Sequence, residues 1–83
     1  MRMVKGEKMN ERKLKAKLVE KGISVEAISY KIGINPSTFY RKIKNDSFTI
    51  AEVRIIIDVL QLTYDEIMDI FFSDIVADVR KGN

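Results

Sequence analysis

Cysteine, histidine and tryptophan are absent from the 83 residues, and Pro36 is the single proline. Without thiols, neither a disulfide nor a thiolate metal site can supplement packing. Without imidazole, the commonest zinc ligand and proton shuttle are gone. The longest apolar runs, such as Ile55-Ile56-Ile57 and Ile70-Phe71-Phe72, are far shorter than a membrane span, and the N-terminus shows no apolar leader stretch. A cytoplasmic protein without membrane association is therefore expected. Enzymatic activity is not: the serines and threonines sit mostly at helix starts, no histidine or cysteine accompanies them, and no glycine-rich phosphate loop is present. No cofactor, metal or small-molecule substrate is expected. The acid pairs Asp65/Asp69 and Asp74/Asp78, four residues apart, read as a solvated helix face, because no other ligand type accompanies them.

What the chain does have is 46% hydrophobic residues, enough at this length for one core and too few for two domains. Its net charge of +3 hides a strong segregation. Residues 1–44 hold twelve Lys and Arg against four acids, a net of +8, whereas residues 45–83 hold three against eight, a net of −5. A basic half beside an acidic half creates a one-sided field, as suits a surface that meets phosphates.

Apolar residues recur at three and four positions with little alternation, so the fold class is all-α. Five helix starts share one signal: a polar cap preceded by an apolar residue and followed four positions later by another. These are Asn10 with Met9 and Leu14, Ser24 with Ile23 and Ile28, Asn35 with Ile34 and Phe39, Thr49 with Phe48 and Val53, and Thr63 with Leu62 and Ile67. Glu52 and Glu66 extend the last two into capping boxes. Gly22, Gly33 and Gly82 mark helix ends. The spacing thus predicts a compact five-helix domain with helices over 11–21, 25–32, 36–44, 50–61 and 64–72 or beyond. Residues 1–9 are expected as a flexible basic arm, residues 10–72 as the domain, and residues 73–83 as a C-terminal helical extension. Inward positions are Leu14, Leu18, Ile28, Ile32, Phe39, Ile43, Val53, Ile56, Ile57, Leu60, Ile67, Ile70 and Phe71, with Ile23, Ile34, Phe48 and Leu62 closing the ends.

The second and third helices are separated by Gly33-Ile34-Asn35 alone, a turn suited to a steep crossing, which is helix-turn-helix geometry. With Phe39 and Ile43 inward, a period of 100° per residue turns Ser37, Thr38 and Arg41 outward, with Lys44 near them and Tyr40 and Lys42 flanking. From Lys31 to Lys44 there are four basic residues and no acid. Arg can bond guanine O6 and N7 in bidentate fashion, and Ser and Thr can bond several base edges.

The run from Ser24 to Ile43, SVEAISYKIGINPSTFYRKI, resembles the helix-turn-helix of lambda repressor and Cro-like regulators of the XRE type. One helix before the motif and two after it extend the resemblance over roughly Asn10 to Phe72. Ser29, Ile32, Gly33 and Ile34 match the family's small mid-helix residue, turn glycine and apolar neighbours, although Ala is more usual than Ser at position 29. Lys42 stands where many relatives have an apolar residue, and Ile43 takes over the packing. By position, the resemblance implies that Asn35, Pro36, Ser37, Tyr40 and Arg41 face DNA bases. The helical wheel adds Thr38 and Lys44, and Ser37 and Arg41 occur in both sets.

Phosphate contacts are expected from the N-terminus of the second helix at Ser24 and Val25, from Lys42, from Asn45 and Ser47 beyond the third helix, and from Arg2, Lys5 and Lys8 in the arm. A two-fold homodimer on a palindromic duplex is expected, joined through Met68, Phe72, Ile75, Val76 and Val79, since one recognition helix reads only a few base pairs. The resulting expectation is a Cro-like repressor in a phage, mobile-element or bacterial setting. The alternative is a protein-interaction module on the same fold, docking its partner through the C-terminal helix.

Overall fold

Every helix start sits on the polar residue expected for it, and four of the five use that residue's side chain. The computed structural model describes residues 9–72, which form α1 (Glu11–Lys21), α2 (Val25–Ile32), α3 (Pro36–Asn45), α4 (Ile50–Leu60) and α5 (Tyr64–Phe71). No strand occurs among these residues. Asn10 Oδ1 accepts the Lys13 N–H at 3.0 Å and Ser24 Oγ accepts the Ala27 N–H at 3.0 Å. At α4 and α5 the capping boxes are complete. Thr49 Oγ1 and Thr63 Oγ1 accept from Glu52 and Glu66 N–H, and each glutamate's Oε1 accepts from its threonine's N–H at 2.9 Å. Asn35 is the exception. It holds the extended backbone of a cap, φ −76° and ψ 153°, but makes no side-chain cap bond, so α3 starts on Pro36 and backbone geometry alone.

Four helix ends also share one device. A residue in the left-handed region follows the helix, and the N–H after it reaches back five residues: Ile23 to Leu18 O (2.9 Å), Ile34 to Ser29 O (3.0 Å), Ser47 to Lys42 O (3.0 Å) and Leu62 to Ile57 O (3.1 Å). The left-handed residues are Gly22 and Gly33, as expected, and also Asp46 (φ 53°) and Gln61 (φ 51°). A Cβ there costs roughly 1–2 kcal/mol, and without glycine those two stops carry no such signal in the sequence. Three of the four connectors consequently have one format, a left-handed residue, an apolar residue and a cap: Gly22-Ile23-Ser24, Gly33-Ile34-Asn35 and Gln61-Leu62-Thr63. In each, the middle side chain packs against the core, finishing one helix and starting the next. The α3–α4 connector is one residue longer, and Phe48 does the packing, meeting the Phe39 ring edge-on at 5.3 Å between centroids.

α2 packs on α4 and α3, and α1 packs on α5 and α4. Between them lie Leu14, Leu18, Ile28, Phe39, Ile43, Ile56, Leu60, Ile70 and Phe71, all buried, with Leu62 beside them. Ile32, Val53 and Ile57, expected inside, are half-buried against that cluster, as is Ile67. Four expected boundaries move: α3 runs on to Asn45, α4 stops at Leu60, and the start of the domain and the end of α5 shift as well. Met9, placed at the end of the arm for want of periodicity although it also precedes the Asn10 cap as its apolar staple, is 4% exposed and belongs to the core, while the Asn10 N–H donates to Ile70 O at 2.6 Å and ties the start of α1 to the end of α5. α5 stops at Phe71, with Phe72 at φ −135° leaving the helical region. Ser29 is fully buried in α2, and its Oγ has no hydrogen-bond partner.

Candidate nucleic-acid interface

α3 is divided lengthwise. Phe39 and Ile43 are buried, Pro36, Thr38 and Lys42 are half-buried, and Ser37, Tyr40, Arg41 and Lys44 are exposed. The exposed four stand at i, i+3, i+4 and i+7, the spacing of one helical stripe, and this stripe lies opposite the two core residues. Short polar, aromatic and cationic groups are thereby presented together along about two turns.

Tyr40 is held on two sides. Its ring meets Phe39 edge-on at 6.4 Å, and the Lys15 ammonium of α1 stands 5.8 Å from its centroid. This cation–π contact fixes the ring and adds a basic residue from α1 to the margin of the stripe. Lys15 also bonds Glu11 Oε2 at 2.8 Å. No sequence signal pointed to Lys15, which lies twenty-five positions from Tyr40; only the packing of α1 brings them together.

The turn side of α3 is different. Thr38, assigned by the helical wheel to the exposed face, is half-buried and lines a shallow groove with Tyr30, Gly33, Ile34 and Asn35. Tyr30 is 84% exposed there, and sequence reading passed it over because a single aromatic on α2 carries no periodic signal. Asn35 is exposed beside it, with its side chain not engaged in the helix cap.

Lys42 has an intramolecular partner. It was expected among the phosphate contacts, but its ammonium lies 3.0 Å from Glu52 Oε1 and 3.2 Å from Oε2, with the lysine and glutamate side chains only 18% and 16% exposed. Glu52 also accepts the Thr49 N–H, and that backbone bond, followed by Lys42, holds its carboxyl below the usual glutamate range. The pair joins α3 to the first turn of α4. Sequence reading assigned Glu52 to the cap and missed its second partner, because residues ten apart across a turn share no helical face.

At the start of α2, Ser24 is exposed with its Oγ accepting the Ala27 N–H, Val25 packs on the core, and Glu26 is exposed beside them. Asn45 is the last residue of α3, and Ser47 is exposed with its N–H bonded to Lys42 O. Of the expected dimer residues, Met68 is half-buried and Phe72 is 40% exposed; Ile75, Val76 and Val79 lie outside the described residues, as do Arg2, Lys5 and Lys8.

Elsewhere on α1, Lys17 bonds Glu66 Oε2 at 2.6 Å and Glu20 Oε1 at 3.0 Å, and Lys13 lies 3.9 Å from Asp69. Lys17 and the Thr63 N–H bring the Glu66 carboxyl down to about 2, and Glu66, then Glu20, raises Lys17. Among the described residues, no helix is long and apolar enough to cross a membrane, and no group of three or more His, Cys, Asp or Glu is placed to hold a metal ion. Comparison with protein-family models, curated proteins and solved structures finds no match for the chain.

Proposed function

We propose that this protein is a sequence-specific double-stranded DNA-binding regulator whose helix-turn-helix, α2 and α3, sets α3 into the major groove. The observation that carries this reading is the stripe of Ser37, Tyr40, Arg41 and Lys44, turned away from Phe39 and Ile43 on a helix that begins after a three-residue turn. Arg41 is the residue for a bidentate guanine contact, Ser37 and Asn35 for polar base edges near the start of α3, and Tyr40 for a base or a phosphate. The α2 N-terminus offers backbone N–H groups to a phosphate, while Glu26 limits how near that phosphate can come. With a palindromic operator the protein acts as a homodimer, and the simplest regulatory mode is that of a cytoplasmic, Cro-like repressor that occludes a promoter. Selection of bound duplexes from a random pool tests the reading. Enrichment of a palindrome with half-site centres roughly ten base pairs apart is expected for two α3 helices on a two-fold axis. Failure to retain any duplex at low salt, with the fold intact, would overturn it.

A further inference from the structure

We infer that Glu52, from its place on α4, limits non-specific DNA binding by holding Lys42 away from the phosphates. This rests on the DNA-binding reading above. Lys42 follows Arg41 directly on α3 and borders the exposed stripe. A lysine there, with a flexible four-carbon stem and a point charge, is suited to bond whichever phosphate is nearest, regardless of sequence. Both carboxylate oxygens of Glu52 lie within hydrogen-bond distance of its ammonium. The carboxylate is itself anchored, since Oε1 also accepts the Thr49 N–H at 2.9 Å, so it cannot follow the lysine outward. Reaching a phosphate would require Lys42 to leave a nearly covered ion pair and to strand a carboxylate that is only 16% exposed. One cation is thus withdrawn from the sequence-independent part of binding, while Arg41, for which no ion pair of this kind is found among the described residues, remains for base reading.

The test is a salt series of binding to a random-sequence duplex by the full chain as wild type, Glu52→Gln, Lys42→Met and the double variant, with thermal melting of each. Gln keeps an acceptor for the Thr49 N–H, so the α4 cap persists. Glu52→Gln is expected to bind several-fold more tightly near 0.1 M salt and to steepen the log–log slope by about 0.9, the release of counterions from one more phosphate. Lys42→Met should leave the wild-type slope unchanged, and the double variant should return to it. A slope unaltered by Glu52→Gln would overturn the inference. So would a shallower slope for Lys42→Met alone, since the lysine would then already touch phosphate, or a gain that persists in the double variant, since loss of the carboxylate's own field would then be the cause. The Lys42→Met arm puts the same question without touching the cap. A wild type that binds no duplex at low salt while melting normally removes the DNA reading itself, a result distinct from any of these slopes.

Discussion

The starts of α4 and α5 are the same local device in two surroundings. Each is a threonine–glutamate capping box, and each glutamate takes a lysine from another helix. At α4 the lysine comes from α3, ten residues earlier, and both partners are largely covered. At α5 it comes from α1, forty-nine residues earlier, shares itself with Glu20, and faces a glutamate side chain that is 31% exposed. A cap is a local matter, settled within four residues. What its carboxylate does besides capping depends on which helix the fold lays beside it. One box steadies the helix with the exposed polar stripe, and the other clasps the two ends of the domain.

The largest effect that separates these two sides is expected in DNA recognition. Arg41→Ala should lose about 1–3 kcal/mol at one base position and relax specificity there, while Lys17→Met should leave base preference unchanged; competition binding against single-base operator variants reads both. An unchanged consensus for Arg41→Ala would mean that α3 is presented otherwise. Next, Thr49→Ala and Thr63→Ala should each destabilise by about 1 kcal/mol, and in combination their effects should add, because two boxes with separate partners do not couple. Urea unfolding of the two singles and the double checks this, and a sum off by more than about 0.5 kcal/mol would show that the boxes communicate.

Ser29 sharpens the contrast from the opposite direction, as a polar group that lies deeper than either glutamate and has no partner at all. Ser29→Ala should raise stability by up to about 1 kcal/mol, since it removes an unpaired hydroxyl and adds helix propensity; a lower melting temperature would contradict this. The smallest effect is in acid. Glu66 is held at about 2 against an ordinary 4.5, so its contribution is fully present above pH 4.5 and fades as pH falls from there towards 2. Glu52 is shifted in the same direction. Glu66→Gln should therefore lose less thermal stability between pH 7 and pH 3 than wild type does, and equal losses would show that the Lys17 pair contributes nothing in this window.

Much of the helical plan could be read from single residues. Asn10, Ser24, Thr49 and Thr63 cap as their hydrogen-bonding chemistry dictates, and Gly22 and Gly33 close helices because a left-handed backbone suits a residue without Cβ. Asp46 and Gln61 do the same work against a steric cost, and nothing local announces that. In α3, position alone marked Ser37 and Arg41 as outward. The wheel turned Thr38 fully outward, whereas it is half-buried and lines the groove beside α2 and the turn.

By its own pattern, then, the sequence determined the five helices of the described residues, most of their limits, most of the core and the outward stripe of α3. These follow from interactions between residues at most five apart and from the periodic burial of apolar side chains. The tertiary structure alone decided that Lys15 leans on Tyr40, and that Lys42 and Lys17 each meet a capping glutamate. Charges on separate helices have no fixed distance until those helices pack, and a lysine that reads as a free cation in the chain takes its partner from whatever the packing places within its reach.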